Sequence, residues 1–215
     1  MFRSTHTQST SLHILHILSP PPPLLPDGNI RNAAEAQLNQ AQESNLAEFL
    51  RLMVEALANE QADENVRNLA GLGVKNSVWG ESTEFQNQRS QAWLSIAPDF
   101  AGQIKGAVLQ TLHSANAKAA HVSAQVVAAI GFSDVPEGRW PDLIGVLLAN
   151  VTNEASSDVA KTASLEAMGF LCEGITPDDL GQEQTNSILT AIIDGMKSAQ
   201  PNDIRRAATQ SVRGK

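Results

Sequence analysis

A short cassette recurs five times along this chain, and a chain that repeats itself in this way has few folds open to it. An aliphatic residue stands at Ile30, Val66, Val122, Val159 and Ile204. Four residues on come Ala34, Ala70, Val126, Ala163 and Ala208; eight on come Leu38, Val74, Ile130, Ala167 and Val212. Steps of four lie along one face of a helix, and the small or branched middle residue lets a neighbouring helix come close. Residues that favour helix caps precede the cassette: Asp27 and Asn29, Asp63 and Asn65, Ser156 to Asp158, Asn202 and Asp203. The anchors are 36, 56, 37 and 45 residues apart. A unit of about 40 residues that contributes one amphipathic helix pair predicts an all-α chain. The expected architecture is an α-solenoid of HEAT or armadillo type, wound as a right-handed superhelix of about five helix pairs. The last pair is expected to be truncated, because Ile204, Ala208 and Val212 keep the buried pattern almost to Lys215.

The cassette predicts inner helices near residues 27–43, 64–79, 118–132, 157–173 and 202–213. Between them, Phe49, Leu50, Met53, Val54 and Leu57 follow helical spacing, as do Ile104, Val108 and Leu112. Residues 81–97 are the longest departure from the repeat; Trp93, Leu94 and Ile96 suggest a short extra helix there, ended by Pro98. Asp99 is expected to cap the next helix. Trp140-Pro141 opens a pair carrying Leu143, Ile144, Leu147, Leu148 and Val151, and Ile188, Leu189, Ile192, Ile193 and Met196 mark the last outer helix.

Composition narrows the function. Five repeats of about 40 residues fill nearly all of the 215 residues and leave little room for a catalytic domain. Three Trp, six Phe and no Tyr suit close helix packing better than a β-sandwich. A net charge of −8 weighs against nucleic acid as a partner, since phosphate binding needs clustered Lys and Arg. It is compatible with basic protein partners. The single cysteine excludes an internal disulfide framework, and no apolar run reaches the roughly 20 residues of a membrane span. Residues 1–26 differ from the rest: a polar start, an apolar run from Leu12 to Leu18, then Pro20 to Pro23 and Pro26. His13 and His16 interrupt the apolar run and no small-residue cleavage site follows, which argues against a signal peptide.

No residue set points to catalysis, a cofactor or a metal. His13 and His16 lack a visible third ligand. Gly71, Gly73 and Lys75 lack the strand and third glycine of a phosphate loop, and helix packing explains the glycines. Asp178 and Asp179 follow Thr176-Pro177 and suit the first turn of a helix, where negative charge meets the dipole. Asn150-Val151-Thr152 fits a glycosylation triplet too common to carry weight. Cys172 has no nearby His partner and reads as a core thiol. The chain reads as a binding protein, not an enzyme.

Several ordered strings carry a more specific signal. They are Asn32-Ala33-Ala34-Glu35 with Leu38, Ala70-Gly71-Leu72 with Lys75-Asn76-Ser77, Trp93-Leu94, and Ile104-Lys105 with Val108 to Leu112. Then come Trp140-Pro141-Asp142-Leu143-Ile144, Ala149 to Asn153, Leu165 to Gly169, and Ile188 to Ile193. From about Pro26 to Gln210 this set resembles the N-terminal region of the importin-β (karyopherin-β) family of nuclear import receptors. The resemblance places an importin-β N-terminal type domain at about 34–113, inside a HEAT array over 27–215. Residues 1–26 match poorly: Ile17 to Pro20 and Pro26-Asp27 look like a family turn split by inserted prolines and leucines.

The resemblance implies that the inner helices of the first repeats bind the GTP form of the small GTPase Ran. Lys75 and Asn76 match the family string. His121 and Gln125, with Asp158 and Lys161, are candidates on the same face by the cassette register. Leu189, Thr190 and Ile193 would form one wall of a pocket for Phe-Gly nucleoporins, a half-site only. Importin-α and cargo bind later repeats in the family, so neither is expected to bind this chain. Localisation would be cytoplasm and nucleus, with association at the nuclear pore. The alternative is a generic HEAT scaffold of phosphatase-regulatory or coat-adaptor type.

Overall fold

The computed structural model describes residues 28–80 and 82–213. The readings made for residues 1–26, for Asp27 as a cap and for Lys215 lie outside them. Among the described residues all regular structure is helical. The helices are α1 (Gly28–Ser44), α2 (Leu46–Ala58), α3 (Glu64–Val78), α4 (Thr83–Leu94) and α5 (Pro98–Thr111). They continue as α6 (Ala117–Asp134), α7 (Leu143–Thr152), α8 (Asp158–Gly174), α9 (Pro177–Gly195) and α10 (Asn202–Arg213).

Local chemistry sets these boundaries. Side chains of Asn45, Asp63, Asn116 and Ser157 accept backbone N–H bonds at the starts of α2, α3, α6 and α8. Thr176 and Asp179 form a capping box at the start of α9. One expected cap is corrected. Asp99 lies in the first turn of α5, whose N-cap is Ala97 with Pro98 at the first helical position. Pro98 therefore begins a helix instead of ending one: its missing N–H costs nothing where no intrahelical acceptor exists. The extra helix in the departure segment is also longer than its apolar residues suggested, running the twelve residues of α4.

Short loops fold successive helices back on one another. The inner layer runs α3, α6, α8, α10, each packed on the next. Helices α2, α5, α7 and α9 pack on α3, α6, α8 and α10 in turn, with α2 also touching α6 and α9 also touching α8, and α1 packs on α2. This is a HEAT-type solenoid of stacked pairs. The cassette is the inner seam: Ala70, Val74, Val122, Val126, Ile130, Ala163, Ala167, Ile204 and Ala208 are all buried. Approach is close enough that a Cβ on Gly71 would sit 2.7 Å from Val122, and one on Gly131 2.5 Å from Leu171. Among the described cassette positions Leu38, Val66 and Val159 are partly buried and Val212 is 58% exposed. Cys172 also departs from expectation. It lies at the exposed end of α8 and is not a core thiol, because position 172 falls beside, not on, the stripe of Ala163, Ala167 and Leu171.

Two buried charges fasten the layers together. Arg67 is 1% exposed; its Nε donates to Leu57 O at 2.8 Å, and its Nη atoms reach Glu60 and Ser114. Asp134, with no exposed surface, accepts from Trp93 Nε1 at 2.8 Å and from Lys105 Nζ at 2.9 Å. Lys105 also donates to Arg139 O and stands 5.2 Å from the Trp140 ring centroid. Helices α4, α5 and α6 and the loop before α7 therefore meet on one carboxylate.

Candidate functional site

The residues singled out from sequence fall into three places. Lys75 and Asn76 occupy the last turn of α3, where a cation suits the negative end of the helix dipole. The Trp79 N–H closes that helix on Lys75 O. Gly80 follows, and a Cβ there would stand 2.6 Å from Phe85 Cβ, so only glycine lets the first turn of α4 sit this close. Arg89 Nη1 donates to Trp79 O at 2.6 Å, and its guanidinium carbon lies 5.7 Å from the Phe85 ring centroid. The Trp79 ring rests on Phe132 of α6, centroids 4.3 Å apart. Lys75, Asn76, Trp79, Gly80, Phe85 and Arg89 enclose a cleft of about 290 Å³.

His121 and Asp158 belong elsewhere, in a groove of about 440 Å³ across the inner helices α6, α8 and α10. Ala117, Val159 and Ala163 give it an apolar floor, with Lys118, Glu166, Asp203, Arg206 and Gln210 along it. His121 Nδ1 lies 2.8 Å from Glu166 Oε2, and its Nε2 lies 2.9 Å from the Gln125 amide nitrogen. The Glu166 carboxylate, hydrogen-bonded to the ring, holds the His121 pKa above the usual histidine value against the opposing effect of burial. Lys118 donates to Glu64 at 2.5 Å, which raises the lysine pKa and lowers that of the carboxyl. Arg206 pairs with Asp203. Thr162, also in the lining, has a buried hydroxyl with no hydrogen-bond partner among the described residues. Lys161 is half-buried on α8 and does not line the groove.

The third place is the outer surface of α9. Leu189 is 49% exposed and Ile193 60%, with Met196 joining them one turn on. Thr190 is exposed too, its hydroxyl donating to Asn186 O.

Sequence reading missed Phe85 and Arg89, and on the groove side Thr162, Glu166, Asp203, Arg206 and Gln210. A signal existed for the first two: they stand four apart in the one segment that breaks the repeat. Nothing local marked the others. Among the described residues no group of three or more His, Cys, Asp or Glu is placed to hold a metal ion. None of their helices is long and apolar enough to cross a membrane. The chemistry on offer is recognition of a surface by paired charges, amides and apolar patches.

Residues 34–114 match the family model described as the importin-beta N-terminal domain. Importin subunit beta-1 of Arabidopsis thaliana is 37% identical over 187 residues, which is 86% of this chain and 21% of the relative. The protein of that name in Schizosaccharomyces pombe is 35% identical over 185 residues, 86% of this chain and 21% of the relative. The chain thus spans about a fifth of the length of these curated relatives. A crystal structure of importin beta matches 95% of this chain and 23% of its own at a TM-score of 0.85 and 33% identity. Kap95p, in a structure described as inducing the switch loops of RanGDP to adopt the GTP-bound conformation, matches 96% of this chain and 23% of its own, with a TM-score of 0.84 and 31% identity. A further structure, of a Kap95–Nup1 complex, matches 95% of this chain and 24% of its own at a TM-score of 0.79 and 30% identity. With the solenoid of HEAT pairs, these matches identify the chain as a member of the importin-β family, corresponding to that family's N-terminal HEAT-repeat region.

Proposed function

We propose that this chain binds the small GTPase Ran, preferring its GTP form, as the N-terminal portion of a receptor for protein import into the nucleus. The observation that carries the reading is the likeness to Kap95p, which drives the switch loops of bound RanGDP into the GTP-type conformation. A protein shifts a partner's equilibrium only toward the conformation it binds more tightly. Kap95p therefore favours the GTP-type switch arrangement, and the proposal extends that preference to this chain. The contact residues proposed are Lys75 and Asn76 at the α3–α4 cleft, His121, Gln125 and Asp158 around the inner groove, and Lys161 beside it. Such a protein works between cytoplasm and nucleus and at the pore. It is a binding protein, with no catalytic step and no cofactor in the reading.

Calorimetry with Ran loaded with GTP or GDP tests this directly. The wild-type chain is expected to bind the GTP form more tightly. Lys75→Ala/Asn76→Ala should weaken that binding by about five- to 150-fold, the equivalent of roughly 1–3 kcal/mol for buried polar contacts left unmade. Equal affinity for the two nucleotide states would overturn the reading.

A second contact is favoured by a separate observation. The exposed Leu189, Ile193 and Met196 offer an apolar strip on an outer helix, and Kap95 forms a complex with Nup1. We assign Leu189, Thr190 and Ile193 to one wall of a Phe-Gly nucleoporin contact, and Ile193→Ser should lower retention on immobilised Phe-Gly repeats. Importin-α and cargo are not partners of this segment in the proposal. Tight, saturable binding of an importin-α N-terminal segment would refute that part.

A further inference from the structure

We propose that the α3–α4 cleft receives an acidic residue flanked by an apolar one on the bound GTPase, with Phe85 and Arg89 as contact residues beyond Lys75 and Asn76. The inference rests on the GTPase reading above and adds to it the chemistry of the contacting segment.

Four properties of the cleft lead there. Its size, about 290 Å³, is at the foot of the roughly 300–1,000 Å³ range of small-molecule pockets and suits one or two side chains. Its charge has one sign: Lys75 and Arg89 are the ionisable residues in its lining, and no carboxylate joins them among the described residues. In a chain of net charge −8 that is an uncommon setting. Six other described cations, Arg51, Arg67, Lys105, Lys118, Lys197 and Arg206, each lie against a carboxylate of the chain itself; among the described residues Lys161 and Arg205 do not, but neither lines this cleft.

The third property is the exposed ring. Phe85 is 54% exposed, and a lone exposed apolar residue would need no explanation. Here the ring lies beside a guanidinium within cation–π range, at the mouth of a cleft whose lining also includes Trp79. An apolar side chain laid on Phe85 would bury that ring, and a neighbouring carboxylate would reach Lys75 and the guanidinium donors that Trp79 O leaves over. The fourth property is rigidity. The Arg89–Trp79 bond, the Trp79–Phe132 contact and the close fit of Phe85 over Gly80 hold the walls before any partner arrives, so little ordering cost is left for binding.

The inner groove is a weaker candidate for such a segment. Its Lys118, His121 and Arg206 already face Glu64, Glu166 and Asp203.

Phe85→Ala and Arg89→Gln test the proposal, measured by calorimetry against Ran·GTP at two salt concentrations. Both sites are at the surface, and Gln keeps an amide donor for Trp79 O; thermal melts verify that the fold is unchanged. Each variant should bind about five- to 50-fold more weakly than the wild type, and Arg89→Gln should show the flatter salt dependence. If the wild-type chain binds Ran·GTP and either variant stays within twofold of it, the cleft assignment fails while the GTPase reading stands. If the wild-type chain binds neither nucleotide form, both fail.

Discussion

The third helix pair, α5 with α6, and the fifth, α9 with α10, are built on the same cassette, yet they are held in place differently. The third centres on Asp134, a carboxylate with no exposed surface that collects Trp93, Lys105 and, at 3.8 Å, Arg139. The fifth has aliphatic contacts instead: Ile188, Ala191 and Ile192 of α9 and Ile204, Ala207 and Ala208 of α10 are buried. Its ion pairs, Lys197–Asp194 and Arg206–Asp203, are exposed pairs three residues apart and worth little. It also contains a break. Gly181 has φ of 73° inside α9, a left-handed conformation that glycine adopts without steric cost. In a stacked array stability is local, so one repeat unit can be fastened by a buried charged hub and another mainly by apolar contact, with the Ser211 hydroxyl donating to Leu165 O.

The largest expected effect probes that hub. Asp134→Ala removes the partner of a partly buried lysine and a buried indole N–H, and should lower stability by about 3–5 kcal/mol, read from urea unfolding. Asp194→Ala in the fifth pair should stay within about 0.5 kcal/mol. If the two variants cost the same, the contrast between the pairs is wrong. Next come the glycines. Gly131→Ala drives a methyl into Leu171 and should cost about 1–3 kcal/mol by overpacking. Gly181→Ala meets no neighbour within 4 Å, so its cost is the backbone itself, whose positive φ with ψ of 158° is a region essentially reserved for glycine, about 1–3 kcal/mol. Hydrogen exchange should then quicken in α9 and α10 and leave α6 unchanged.

Surface apolar residues should matter less. Ile193→Ser, at a site 60% exposed, should shift stability by under about 0.5 kcal/mol in thermal melts; a larger loss would mean that α9 packs more tightly than its exposure indicates. The smallest effect concerns His121. Its pKa is raised in the fold by Glu166, so the pair stabilises fully below the ordinary histidine value of about 6.5. That contribution is lost as pH rises through the raised folded value. With the imidazole half exposed, the slope between pH 6 and pH 8 should be slight, and His121→Gln should remove it. A wild-type slope of the opposite sign would contradict the Glu166 contact.

How much of this was legible beforehand depends on how far apart the interacting residues lie. The starts of α3 and α8 could be read because a capping side chain and the backbone N–H that donates to it are two or three residues apart. The buried seam could be read because steps of four define a helix face. Asp134 could not: its partners Trp93 and Lys105 are 41 and 29 residues away, and nothing near position 134 marks it as buried. Arg67 was missed for the same reason, with Ser114 47 residues off. Cys172 was misjudged because its helix is buried on one side only. On the inner face the family string pointed to Lys75 and the register to His121 and Asp158, on successive inner helices, but only packing separated them into a cleft and a groove.

The sequence by itself therefore determined the helix pairs, their order and the seam along which they stack, since these follow from periodicity and capping within a few residues. It also determined the family, through motifs read in order along the chain. Tertiary structure decided which charges are buried, which cations face a carboxylate of their own chain, and that Phe85, Arg89 and Lys75 share one cleft. Those outcomes depend on distances between residues far apart in the chain, which helix-on-helix packing sets and local periodicity does not encode.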